Sequence, residues 1–276
     1  MEVLSDKQEY QYCNLNYQEL NTIPVVFHNL SGYDAHFIIE AIANEFEGKI
    51  DLLSITKEKY ISFTKHFPEN GIKFKFIDSF RFMASSLDKL ASYLSNYSIV
   101  HSEFESYDVN TIQLLTRKGI FPYEYLDNRS KLNQTQLPPK EKFYSTLNDS
   151  HVTDKDYLHA QEVWSAFNCQ YLYEYVYLYM KTDILLLADV FENFRDQCLI
   201  AYELDPAYYY TTPGLSCDAM LKYTNVKLEL LTDIDMVMFV ESGIRGGISQ
   251  CSNRYAHANN TGLQKNGHIV FIQSFL

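Results

Sequence analysis

The chain has 276 residues, 46% hydrophobic and 15% aromatic, with only 10 Gly and 7 Pro. This composition excludes a disordered chain and suits one large domain, or one domain plus part of another. A net charge of −12 argues against a simple basic nucleic-acid binder but not against an enzyme that gathers carboxylates around metal ions.

Residues 1–20 are polar and read as a loose lead-in. "TIPVVFHNL" follows as a β-branched, aromatic strand with a turn signal behind it. "DAHFIIEAIANEF" has apolar residues at helical spacing, with Asp34 near its start. "IDLLSIT", "YISFTKHF" and "IKFKFIDSF" read as three strands, the last two joined by the turn "PENG". In "SSLDKLASYLSN", Ser85 or Ser86 can cap a helix that puts Leu87, Leu90 and Leu94 on one face.

Residues 100–160 read as loops and short helices, and "DYLHAQEVWSAFN" as a helix. The segment "CQYLYEYVYLYMKTDILLLADVFENFRDQCLIAYEL" lacks Gly and Pro but exceeds an ordinary helix, which predicts a bend or break inside it. "LSCDAMLKYTNV" is a further helix, and "GIRGGIS" a glycine-punctuated element. Strands and helices in mixed order predict an α/β (α+β mixed) domain with a mixed sheet flanked by helices.

Cys13, Cys169, Cys198, Cys217 and Cys251 form no CxxC pair. A disulfide framework and a cysteine-built zinc site are therefore not expected, and the thiols suit an intracellular protein. "MEVLSDKQEY" lacks the pattern of a signal peptide, and no apolar run nears membrane-spanning length, so no membrane partner is expected.

Four places could carry chemistry. Asp34 stands where a strand gives way to a helix, a position that suits an active-site carboxylate and is also the ordinary place of a helix cap. Tyr179 and Asp183 are four apart and share a helix face amid apolar residues. A carboxylate there needs a partner or a metal, unless it points to solvent. Ser86 and Leu87 open a helix that offers a phosphate contact or is simply a capped amphipathic helix. Arg245, beside Gly246 and Gly247, allows close approach to a phosphate or forms a tight bend.

The order "HNLSGYD", "FIDSFRFMASSLDKL", "KGIFPYEYLD", "YLYMKTDILLLADVFENFR", "PGLSCDAMLKYT", "GIRGGIS" resembles the protein-primed family B DNA polymerases of viruses, organellar plasmids and mobile elements. The likeness runs from about residue 13 to about residue 260. It implies an RNase H-like 3′–5′ exonuclease domain over 21–200, the start of a polymerase domain over 201–260, an N-terminal remnant over 1–20 and a divergent tail over 261–276. It implies Asp34 and Asp183 as ligands of a Mg2+ or Mn2+ pair that clamps the scissile phosphate. Tyr179 would orient the attacking water. Asn29, Tyr33, Ser86, Leu87, Arg245, Gly246 and Gly247 would contact DNA, with Ile244 standing where the family's linking motif has Tyr. The implied partners are DNA, and, for the full-length parent, dNTP and a terminal protein primer.

The family's first exonuclease motif, Asp-x-Glu on an apolar strand, has no match before Asn29, and the polymerase aspartate strand has none after "YAHANN". The expectation is thus a truncated exonuclease-region fragment lacking its first strand, with impaired hydrolysis. The alternatives are a non-catalytic single-stranded-DNA binder or inert relic, and an unrelated metal-dependent hydrolase that adds His28 or His36 to the two aspartates.

Overall fold

The computed structural model describes residues 21–31, 34–56, 59–147, 149–226, 228 and 231–244. The chain divides into two compact units, Met1–Val226 and Lys227–Leu276.

The first unit opens with β1 (Thr22–Phe27) and α1 (Asp34–Glu45). The strands β2 (Ile50–Ser54), β3 (Tyr60–His66) and β4 (Lys73–Asp78) follow. The sheet order is β1-β4-β3-β2. β1 pairs with β4 in parallel, and the other two pairings are antiparallel. The mixed sheet flanked by helices matches the expected fold class and is compatible with an RNase H-like exonuclease.

Alternation puts Val25, Phe63 and Phe76 on one face, where Phe63 stacks on Phe76 at 4.3 Å. The apolar stripe Ile38, Ile39 and Ile42 of α1 covers that face. On the other face Val26 and Ile77 meet Phe191, Phe194 and Ala207. Ile77 is fully buried. Each strand edge residue therefore has its partners fixed by period and register together.

The bend between α1 and β2 needs a glycine. Gly48 has φ +108°, and a Cβ there would overlap the backbone oxygen of His66. Gly48→Ala is expected to cost about 3 kcal/mol, because the strained dihedral and the backbone clash act together. A urea melt showing a loss below about 1 kcal/mol would sink this expectation.

The helical part comprises α2 (Leu87–Ala91), α3 (Ser98–Glu103), α4 (Val109–Gln113), α5 (Asp154–Ala166), α6 (Leu172–Tyr202) and α7 (Thr212–Thr224). Ser86 is the cap of α2, its hydroxyl accepting the Lys89 N–H at 3.3 Å.

The break expected in the long segment is absent: α6 is one helix of 31 residues. Length alone suggested an interruption, but tertiary packing outweighs it. Leu172, Tyr175, Leu178, Leu186 and Val190 enter the main core, Phe191 meets the sheet, and Cys198 joins a cluster with Leu204 and Leu215 of α7. Glu174 accepts the Tyr171 N–H at its start. Glu203, at φ 53°, ends it in the left-handed region and donates its N–H to the Leu199 carbonyl at 2.9 Å. Just beyond, Arg195 holds Asp205 with two hydrogen bonds of 3.0 and 2.7 Å.

Cys169 and Cys198 are buried free thiols. Burial pushes the Cys169 thiol up to about 11, so it is not a reactive thiolate. In the second unit α8 (Ile234–Gly243) is capped by Asp233, which accepts from the Asp235 and Met236 N–H groups. From the sequence alone no element is assigned to this stretch. Among the described residues no helix is long and apolar enough to cross a membrane.

Candidate active site

β1 and β4 run parallel, so their C-terminal ends, Phe27 and Asp78, lie side by side. Such strand ends are where α/β sheets present ligand-binding loops. Here the loop after β1 is fastened to the end of β4. Asn29 takes the left-handed region at φ 65°, which asparagine tolerates. Its N–H donates to Asp78 Oδ1 at 2.8 Å, and the Ser31 N–H to Oδ2 at 3.2 Å. Phe80 N–H also donates to Oδ1, at 3.1 Å. Asp78 is 1% exposed.

Around this knot, Ser79 Oγ donates to the Phe27 carbonyl at 2.9 Å and lies 2.9 Å from His28 Nδ1. His28 Nε2 donates to the Ser85 carbonyl at 2.8 Å. Leu30 is buried in the core beneath α1, and its carbonyl accepts the Ala35 N–H at 3.2 Å. Asp34, the first residue of α1, is exposed. A carboxylate there is favoured by the positive end of the helix dipole.

A second group of candidate residues lies on α6. Tyr179 is 9% exposed. Its ring packs on Phe121 at 5.0 Å and its hydroxyl meets that of Tyr123 at 3.2 Å. Gly119 leaves room for this ring: a Cβ there would come within 3.3 Å of it. Burial, then the Tyr123 hydroxyl and Asp183, push the Tyr179 phenol far above its ordinary value. It remains a neutral O–H donor at any working pH.

Asp183 sits one turn on. Its Oδ2 is 3.4 Å from Lys118 Nζ. Its Oδ1 is buried with no hydrogen-bond partner. A buried carboxylate oxygen without a donor is costly, and suits a site completed by a cation or a reacting group.

A pair of metal ions needs several converging donors. The unpartnered oxygen of Asp183 fits one such donor. Among the described residues, however, no three His, Cys, Asp or Glu side chains are grouped to hold an ion. These residues alone do not complete a two-metal centre. The same finding counts against the metal-hydrolase alternative, and the His28 ring is already held by Ser79 and Ser85.

The family model of DNA polymerase type B, organellar and viral, matches residues 14–261. The chain belongs to that family. A DNA polymerase of Kluyveromyces lactis is 24% identical to it over 181 residues. That alignment takes in 64% of this chain and 16% of the relative, so the chain spans well under two thirds of the relative's length. No solved structure matches.

In this type B polymerase chain the structure joins Tyr179 to Asp183 on α6 and ties the Asn29 backbone to β4. Asp34 stands exposed at the head of α1. Ser86 is engaged as a cap, and Leu87 packs in the main core. Tyr33, Arg245, Gly246 and Gly247 lie outside the described residues. Asp78, Ser79 and Tyr123, whose hydroxyl meets that of Tyr179, are not among the residues singled out from the sequence. The available signals were a polar pair directly after an apolar strand in "FIDSF" and the Lys-Gly pair "KG" before an aromatic run.

Proposed function

We propose that this chain supplies the 3′–5′ exonuclease region of a protein-primed DNA polymerase, acting on the 3′ end of single-stranded DNA. The observation that carries this reading is the Tyr179–Asp183 pair, with its neutral phenol and unpartnered buried oxygen, in a chain of the organellar and viral type B family. Asp34 and Asp183 would hold Mg2+ or Mn2+ together with donors beyond the described residues. The Tyr179 hydroxyl would orient a water or a phosphate oxygen, and the Asn29 side chain would hold the terminal nucleotide. dNTP and a terminal protein primer would be partners of the whole polymerase.

A second reading is favoured by the lack of a three-donor group among the described residues: a protein that binds single-stranded DNA without cutting it. Purified chain incubated with a 5′-labelled single strand and Mg2+ or Mn2+ separates the two. Stepwise shortening from the 3′ end, lost in Asp34→Asn, is the expected result. Binding without shortening would overturn the exonuclease reading in favour of the second. Neither binding nor shortening would overturn both.

A further inference from the structure

We infer that Asp78 is a positioning residue, a clasp that sets Asn29 to Ser31 and, through Leu30, the start of α1 in the geometry that engages DNA. The inference rests on the exonuclease reading for its DNA, but its structural basis is separate.

A buried aspartate at a strand end ordinarily satisfies its own turn, as Asp78 does with the Phe80 N–H. Here two of its other bonds reach back about fifty residues, to Asn29 and Ser31. These two amides flank Leu30, whose side chain is buried and whose carbonyl receives the Ala35 N–H beside Asp34. One carboxylate thus fixes both amides around Leu30, and Leu30 fixes the first turn of α1. The left-handed φ of Asn29 directs its side chain, and that backbone state is held by the same 2.8 Å bond. The Ser79 hydroxyl and His28 ring bond on the other side of the loop, and the Asp78 carboxylate that receives these amides is itself buried. Charge-assisted bonds there are strong and directional. Both candidate contacts of this loop, Asn29 for DNA and Asp34 for the ion, therefore take their positions from a buried carboxylate that bonds the Asn29 backbone and itself contacts neither DNA nor ion.

Asp189 is a matched control. It is also buried on accepting two amides and a hydroxyl, but it serves α3. Asp78→Asn and Asp189→Asn are compared with the unaltered chain at a temperature where circular dichroism shows each folded. Binding of a labelled oligothymidylate is read by anisotropy, and amide exchange by mass spectrometry. Asp78→Asn is expected to weaken binding at least about tenfold and to speed exchange at Asn29, Ser31 and Ala35. Asp189→Asn is expected to speed exchange at Ile99 and Val100 with binding unchanged. Equal binding losses in the two variants, or unchanged exchange at Asn29 and Ser31 in Asp78→Asn, would overturn the inference. If Asp78→Asn does not fold, Asp78→Glu keeps the acceptor one methylene displaced and is expected to show the same losses in smaller measure; full binding in that variant would also overturn it. Failure of the unaltered chain to bind would instead overturn the exonuclease reading, while the exchange pattern still decides whether Asp78 is the clasp.

Discussion

Asp183→Ala is expected to lower 3′-end trimming at least about a hundredfold while leaving stability unchanged or raising it by up to about 1 kcal/mol. The usual point substitution loses about 1 kcal/mol, so the sign is informative. Asp183 Oδ1 is buried without a donor, and its removal ends a desolvation cost. Alanine is also the better helix former inside α6. The ion pair lost with Lys118 is long, at 3.4 Å, and that lysine is about a third exposed, so water replaces the partner at little cost. A residue kept against stability is the mark of a functional group. Trimming assays beside urea melts decide the matter. A stability loss above about 2 kcal/mol would show that Asp183 is a structural residue instead.

Asp189→Ala is expected to cost about 3 kcal/mol of stability. Asp189 lies on α6 and is 4% exposed. Its carboxylate accepts the N–H groups of Ile99 at 2.9 Å and Val100 at 3.0 Å, with the Ser98 hydroxyl at 3.4 Å. These are the opening donors of α3, whose own N-cap position, Tyr97, provides no side-chain bond. A distant helix therefore caps this one, and Val100 beside it is fully buried, so water cannot take over. Truncation leaves the buried Val100 amide and the part-buried Ile99 amide without their acceptor and removes this tie between α3 and α6. Asp189→Asn, which keeps one acceptor oxygen, is expected to lose about half as much. A shift in the urea midpoint equivalent to less than about 1 kcal/mol for the alanine variant would refute the capping role.

Much of the chain could be read locally. The strand ahead of "HNLSGYD", the helix starting at Asp34, the hairpin through "PENG" and the Ser86 cap each depend on a few neighbouring residues, and each is present. The pairing of Tyr179 with Asp183 follows from helical period alone. The reading failed where length was used as a substitute for packing: α6 stays whole because several separate clusters grip it along its course.

The amino-acid sequence by itself determined the strands and main helices up to α7, the family and the two carboxylates worth testing, because period, capping and motif order are local or linear properties. Only the tertiary structure decided which side chains serve them. Asp78 reaches Asn29 across 49 positions, Asp189 reaches Val100 across 89, and Tyr123 reaches Tyr179 across 56. Such partners are chosen by strand register and helix packing, which bring distant residues together only after the chain has folded.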